Sequence, residues 1–205
     1  MLLALALAAA GPATTAIDAE RAFAADAQKR GQWTAFKAWS TPEAVMFTPQ
    51  PVKAHDFLNG KADPPVAVFW WPGKSFVSCD GKTAINTGPW VRDGGKSVGY
   101  FTTVWKRQSD GGWKWVYDAG DALAAPRAQG GDIAPTIASC TGPPSPMFGV
   151  HGYSIRKVGN GHSEDRTLVW SWLVTPQGAH RFRAQMWDGR AMVLVIDDQV
   201  AAPPK

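Results

Sequence analysis

The N-terminal part of the chain has the hydrophobic spacing of α-helices. A first helix is predicted over residues 18–30, because acidic residues begin this segment, basic residues end it and Gly31 follows it. Directly afterwards, Trp33, Phe36 and Trp39 recur at helical spacing, which places three aromatic side chains on one face of a second, short helix. That face has to be covered by another part of the fold.

Strand patterns follow the two helices. Residues 44–48 predict a short strand that ends before Pro49. Residues 52–72 carry two conflicting signals. Asp63 lies directly before a proline and is suited to cap a third helix, whereas the apolar residues that lead to Trp70 suit a strand. Both interpretations stay open, with the helix slightly favoured.

The rest of the chain contains two groups of β-type segments. Four β-rich runs between residues 74 and 121 are separated by Asp-Gly turns, which predicts an antiparallel meander. Four more runs with strand periodicity lie between residues 150 and 198. Because four strands alone would leave an apolar face in water, the second meander is expected to dock on the first sheet or to pair with another subunit.

The first residues have the features of a secretory signal peptide. Residues 1–16 consist of an apolar run, a Gly-Pro pair and small residues that end at Ala16. The usual positively charged start is missing, and the stretch is too short to span a membrane as a helix. Cleavage after Ala16 would start the mature chain at Ile17. We therefore expect a periplasmic or secreted protein with no membrane attachment after cleavage.

These patterns divide the chain into four parts. We predict a signal peptide over residues 1–16, a main domain over 17–123, a Pro/Gly-rich connector over 124–147 and a C-terminal β extension over 148–200. A chain of 205 residues is long enough to bury a hydrophobic core.

The composition narrows the classes of partner. The chain contains 11 tryptophans, which either fill a thick core or line a concave apolar site. Its net charge is +4, and the basic residues are spread singly, without the basic stripe that is typical of nucleic-acid-binding proteins. We therefore expect no nucleic-acid partner.

Cysteine and histidine usage gives little support for a metal or cofactor site. Cys79 and Cys140 are far apart in the sequence, so they form either one disulfide in an oxidising compartment or two buried thiols. The four histidines are isolated, and neither a phosphate-binding glycine loop nor a dinucleotide fingerprint occurs. We expect no metal and no cofactor.

Several short motifs, taken in order, resemble the nuclear transport factor 2-like superfamily. They lie at residues 19–26, 44–49, 86–90, 103–108 and 112–118, and the resemblance covers about residues 18–121. They are most similar to its SnoaL-like, ketosteroid-isomerase-like branch of uncharacterised bacterial proteins. The resemblance implies an α+β fold in which N-terminal helices pack on a curved antiparallel sheet around a cone-shaped cavity, often as a homodimer through the sheet. It implies no particular activity.

Acid–base chemistry in such a cavity needs a carboxylate or imidazole base and a hydrogen-bond donor that holds an enolate oxygen. Asp118 or His55 is the candidate base, and the Tyr117 hydroxyl is the candidate donor, with Tyr100 as a second tyrosine. Each has an ordinary structural alternative, namely a solvated carboxylate or a core tyrosine. The residues predicted to line the cavity are Trp33, Phe36, Phe47, Trp70, Trp90 and Tyr100.

Three functions are consistent with these patterns. The first is an exported binding or accessory module that holds a small apolar ligand in an aromatic cavity. The alternative is a cofactor-independent isomerase, cyclase or dehydratase of the ketosteroid-isomerase-like type. The third is a structural homodimer with a filled cavity. Buried polar groups that converge in the cavity would favour the enzyme, whereas an entirely apolar lining would favour binding alone.

Overall fold

The computed structural model describes residues 14–127, 133–142 and 156–204. Most of the predicted signal peptide, part of the connector and the start of the β extension lie outside these residues. The helices are α1 (Ala16–Arg30), α2 (Gln32–Trp39) and α3 (Ala54–Leu58). The strands are β1 (Ser40–Phe47), β2 (Pro51–Lys53), β3 (Phe69–Trp70), β4 (Lys74–Val77), β5 (Thr83–Arg92), β6 (Ser97–Arg107), β7 (Trp113–Leu123), β8 (Thr136–Ile137), β9 (Lys157–His162), β10 (Leu168–Val174), β11 (His180–Trp187) and β12 (Met192–Val200).

The first helix begins at Ala16, two residues earlier than the acidic pattern predicts. Thr15 precedes it as N-cap and forms a capping box with Asp18, in which the Thr15 hydroxyl accepts a hydrogen bond from the Asp18 backbone N–H at 3.1 Å. Cleavage after Ala16 would remove this cap. The predicted cleavage site stays a prediction.

Asp63 caps a different helix from the one that its sequence context suggests. Its carboxylate accepts hydrogen bonds from the Thr34 backbone N–H at 3.0 Å and from the Thr34 hydroxyl at 2.6 Å, at the N-terminus of α2. The slight preference for a helix over residues 52–72 is therefore wrong for most of the segment. Only α3 is helical there, and residues 69–70 form the short strand β3.

The larger sheet has the strand order β2-β1-β7-β6-β5-β4-β8, and β3 pairs with β5 beside this path. The predicted meander is confirmed for β5, β6 and β7, which are antiparallel neighbours. The sheet is nevertheless mixed, because β1 pairs with β7 and β4 pairs with β8 in parallel. We call the face that packs on the helices the inner face. Phe23 of α1 and Trp105 and Trp115 of the sheet lie in the core on this side.

The second sheet is antiparallel with the order β12-β11-β10-β9, and it covers the opposite, outer face of the larger sheet. Val104 and Tyr117 of the larger sheet pack there with Trp170, Phe182 and Ile196 of the second sheet. Of the two predicted alternatives, docking within the same chain is therefore correct. A homodimer through the sheet stays a prediction, and it would have to use sheet surface that the extension leaves uncovered.

Hydrogen bonds also join the two sheets at one end, beside a disulfide that links the β4–β5 turn to the segment after β8. Cys79 and Cys140 form a disulfide, which is the first of the two alternatives that the sequence left open. Next to it, the Cys79 backbone N–H donates to the Thr167 hydroxyl at 2.9 Å, and the Asp80 backbone N–H donates to the Asp165 carboxylate at 2.7 Å. The α+β class is thus confirmed, with helices, a large sheet and a second sheet stacked as successive layers.

Candidate functional site

A cavity of ≈390 Å³ opens between the inner face of the larger sheet, helix α2 and the chain before β3. Its apolar lining includes Phe36, Phe47, Trp70, Trp90 and Phe101. Its polar lining includes Gln32, Arg92, Asp118 and Asp121. The lining is therefore aromatic but not entirely apolar.

Asp118 enters this cavity because of a β-bulge. On β7, Trp115 pairs with Trp105 of β6 and Tyr117 pairs with Val104, so that Val116 is an extra residue in the ladder. An extra residue reverses the alternation of side chains between the two faces of a sheet. As a result, Trp115 lies in the inner core, Tyr117 lies in the outer core, and Asp118 points to the inner side.

The Asp118 carboxyl is held on one side only. Its Oδ2 accepts a hydrogen bond from the Thr103 hydroxyl of β6 at 2.8 Å. Within the described residues its Oδ1 has no hydrogen-bond partner, and the residue lines the cavity. The pKa of Asp118 is raised to about 7, mainly because of burial. The hydrogen bond from Thr103 lowers this pKa, whereas the nearby Glu20 carboxyl raises it. Asp118 can therefore both donate and accept a hydrogen bond near neutral pH.

Glu20 of α1 is a second buried carboxyl group on the inner side, and it is 0% exposed. It accepts hydrogen bonds from Trp70 Nε1 at 2.9 Å, from Trp105 Nε1 at 2.6 Å and from Asn86 Nδ2 at 3.3 Å. Burial raises the pKa of Glu20 to about 7, although these three hydrogen bonds lower it. Because Trp70 also lines the cavity, Glu20 fixes the orientation of one cavity wall.

The sequence interpretation missed Glu20, which it used only as an acidic residue at the start of a helix. The signal that would have found it is its helical position. Glu20 lies four residues after Ala16 and three before Phe23, and both of these residues are in the buried core. A glutamate in the apolar stripe of an amphipathic helix is rarely left without partners.

Gln32 supplies a hydrogen-bond donor to the cavity. The residue is 8% exposed, and its Oε1 accepts a hydrogen bond from the Val68 backbone N–H at 3.0 Å. That bond fixes the carboxamide orientation and leaves the Nε2 amide hydrogens without a partner among the described residues. Arg92 lies at the edge of the cavity, with its guanidinium 5.3 Å from the centre of the Trp90 ring.

The remaining predicted cavity residues are placed in three ways. Phe36, Phe47, Trp70, Trp90 and Tyr100 line the cavity. Trp33 does not line it, and its ring packs edge-to-face against Phe36 and Phe57. Tyr100 and Asp118 lie on opposite faces of the sheet. Thr103 pairs with Asp118 and shares its face, and Tyr100, three residues before Thr103 on β6, lies on the other face.

Two of the three predicted catalytic residues lie outside the cavity. Tyr117 faces the second sheet, where its ring stacks on Phe182 with 4.6 Å between centres. His55 is on α3, where its Nε2 lies 3.0 Å from the Ser40 hydroxyl. The sequence does not reveal the bulge at Val116, after which Tyr117 faces the second sheet. Asp118 is therefore the one member of that set that the structure brings to the cavity.

We also searched the described part of the chain for metal sites and membrane-spanning helices. Residues 14–127, 133–142 and 156–204 contain no group of three or more His, Cys, Asp or Glu side chains placed to hold a metal ion. None of the helices described is long and apolar enough to cross a membrane.

Comparison with known proteins gives matches at the level of structure only. No protein-family model and no curated protein matches the sequence. A candidate ketosteroid isomerase from Parabacteroides distasonis matches with a TM-score of 0.42 and 14% identity, over 53% of this chain and 88% of that chain. A CaMKII hub from S. rosetta matches with a TM-score of 0.40 and 23% identity, over 56% of this chain and 99% of that chain.

A nuclear transport factor 2-like superfamily protein from Salmonella enterica matches with a TM-score of 0.38 and 17% identity, over 54% of this chain and 89% of that chain. The matches thus include a protein of the superfamily that the sequence resembles. With TM-scores below 0.5 and identities below 25%, they carry no argument about what this chain does.

Proposed function

We propose that this chain binds a small, mainly apolar molecule in the cavity, with a hydroxyl or carbonyl oxygen of that molecule placed against Asp118. The observation that carries the proposal is the Asp118 carboxyl itself. It is half-buried in the wall of an aromatic cavity, is held by Thr103 through one oxygen, and has no described hydrogen-bond partner at its other oxygen.

The cavity suits a ligand of this chemistry. Its volume of ≈390 Å³ lies near the lower end of the roughly 300–1,000 Å³ of small-molecule sites, and aromatic rings form much of its wall. An apolar body would gain from contact with Phe36, Trp70 and Trp90, whereas a fully polar molecule would lose its hydration without compensation. Asp118 and the Gln32 amide then select ligands with suitably placed oxygens.

A second candidate function is cofactor-independent proton transfer, as in an isomerase, cyclase or dehydratase. It is favoured by the Asp118 pKa of about 7, because a general base is most effective when its pKa lies near the working pH. Tyr117 is on the other face of the sheet and cannot serve as the donor. The donor in this reading is the Gln32 amide, which would stabilise an enolate oxygen while Asp118 moves the proton.

We further propose that the protein works outside the cytoplasm. The Cys79–Cys140 disulfide supports this location, because disulfides persist in oxidising compartments and are rare in reducing ones. An accessory role, in which the chain carries a ligand for another protein, is compatible with the same cavity.

The proposal is tested by native mass spectrometry of the protein purified gently from its own host. We expect a retained small molecule, which Asp118→Asn releases and which the matched control Asp56→Asn keeps, since Asp56 is exposed on α3. Equal retention by the Asp118→Asn variant would contradict the role of Asp118. If the retained molecule is chemically altered on incubation, and Asp118→Asn stops that change, the proton-transfer function is favoured over binding alone.

A further inference from the structure

A small chamber lies between the two sheets, on the other side of β7 from the ligand cavity. Its volume is ≈10 Å³, and its polar lining includes Tyr117 of β7, His180 of β11 and Asp198 of β12. This volume is about that of one water-sized sphere, which is the smallest space that holds a buried water molecule.

Two buried polar atoms of the chamber residues have no partner in the described part of the chain. They are the Tyr117 hydroxyl and His180 Nε2, and the two residues are 2% and 7% exposed. A buried donor or acceptor without a partner costs about 1–3 kcal/mol, so buried polar groups normally have a hydrogen-bond partner. Neither ring is free to turn away, because Tyr117 stacks on Phe182 and His180 packs against Phe47 at 4.6 Å.

We propose that this chamber holds one bound water molecule that joins the larger sheet to the second sheet. The water accepts a hydrogen bond from the Tyr117 hydroxyl and donates to His180 Nε2. Its second hydrogen is directed to the Asp198 carboxylate, which gives the three partners that a buried water usually has. Asp198 already accepts from Thr102 at 2.6 Å and from Arg127 at 2.7 Å, and a carboxylate keeps further lone pairs for a water.

The charge state of His180 agrees with this arrangement. Burial lowers the pKa of His180, against the Asp121 carboxylate that raises it. The ring is therefore neutral at pH 7. A neutral imidazole carries one proton, and with that proton on Nδ1 the Nε2 atom is the acceptor that the water needs.

The water site also has a structural consequence for the ligand cavity. Tyr100, Ala119 and Gly120 line both the chamber and the cavity, so a thin wall of β6 and β7 separates the two. Tyr117 directly precedes Asp118 on β7. The water bridge therefore connects β7, the strand that contains Asp118, to the second sheet. This connection does not depend on whether the cavity binds the proposed ligand.

The first test is a crystal structure of the full chain at a resolution that shows ordered water, paired with one of the Tyr117→Phe variant. We expect an electron-density peak within hydrogen-bond distance of both Tyr117 Oη and His180 Nε2, and its loss in Tyr117→Phe. A chamber without a peak, or with Tyr117 and His180 bonded directly to protein groups, would overturn the proposal.

A second test compares urea midpoints and does not depend on crystals. If a water satisfies both groups, Tyr117→Phe and His180→Phe each lower the midpoint, and the double variant loses less than the sum of the two. If the groups meet no water, removing either one leaves the midpoint unchanged or raises it. The control is Thr175→Val, since the Thr175 hydroxyl is also buried without a described partner but does not line the chamber, and its effect should add to that of Tyr117→Phe without coupling.

Discussion

Trp115 and Tyr117 are two residues apart on one strand, yet their side chains lie on opposite faces of the sheet. Trp115 is in the inner core beneath the helices, and Tyr117 is in the outer core beneath the second sheet. Regular alternation would place them on the same face. The bulge at Val116 separates them, and in the same step it turns Asp118 towards the cavity.

We first predict that the contribution of Glu20 to the free energy of unfolding decreases as pH rises from about 4 to about 7. Burial raises the pKa of Glu20 from 4.5 to about 7, so the folded chain favours the protonated form. That stabilisation is complete below the ordinary pKa and is lost as pH rises through the folded value. It amounts to on the order of 3 kcal/mol, at about 1.4 kcal/mol per pKa unit.

This prediction is measured as the difference in urea stability between the wild type and Glu20→Gln across that pH range. The wild type should lose stability relative to the variant as pH rises. A difference that is flat with pH would contradict the raised pKa of Glu20.

A second prediction concerns the hydrogen bonds that Glu20 accepts. Glu20→Ala should cost more than 3 kcal/mol, because it leaves the indole N–H groups of Trp70 and Trp105 buried without an acceptor. Glu20→Gln retains one acceptor oxygen and should cost clearly less at neutral pH. Near-UV circular dichroism of the tryptophans and urea unfolding report both effects. Equal costs for the two variants would contradict a stabilising role for the acceptor oxygen that Gln keeps.

A third prediction concerns the cap of α2. Asp63→Ala should lower stability by about 1–2 kcal/mol, because the first turn of α2 loses the carboxylate that accepts from Thr34. Asp63→Asn keeps a capping oxygen and serves as the matched control. Unfolding monitored by far-UV circular dichroism measures both variants, and an unchanged midpoint in Asp63→Ala would refute the capping role.

A fourth prediction concerns the disulfide. Cys79 and Cys140 close a loop with a sequence separation of 61, for which loop entropy predicts about 4 kcal/mol of stabilisation. The double variant Cys79→Ser, Cys140→Ser should unfold at a correspondingly lower urea concentration than the oxidised wild type. Protein from an oxidising compartment should show no free thiol after denaturation without reductant. Two reactive thiols per chain would contradict the bridge.

Local patterns in the sequence were sufficient for much of the fold. The capping and charge pattern of residues 18–30 and the Asp-Gly turns after residue 74 act over a few residues, so they predict α1 and the central meander. Features that depend on distant contacts were missed. Asp63 caps a helix 29 residues earlier in the chain, and the parallel pairing of β1 with β7 joins distant segments.

The candidate site was predictable in part for the same reason. Most of the aromatic lining follows from residue type and from the elements that pass the cavity, whereas the direction of Asp118 depends on the bulge at Val116. The faces of Tyr117 and Tyr100 depend on register and on one extra residue in a ladder, which strand periodicity does not encode. Glu20 was identifiable only by its helical spacing from buried neighbours.

The central claim, that Asp118 recognises an oxygen of an apolar ligand in the cavity, is tested most directly by titrating the protein with 2-naphthol and with naphthalene above pH 7. Quenching of tryptophan fluorescence reports binding, because Trp70 and Trp90 line the cavity. We predict that the wild type binds 2-naphthol about 10-fold or more tightly than naphthalene, as a hydrogen bond to a carboxylate provides. Asp118→Asn should lose most of that preference and keep its affinity for naphthalene. No saturable binding of either probe, or the same preference in Asp118→Asn, would contradict the account.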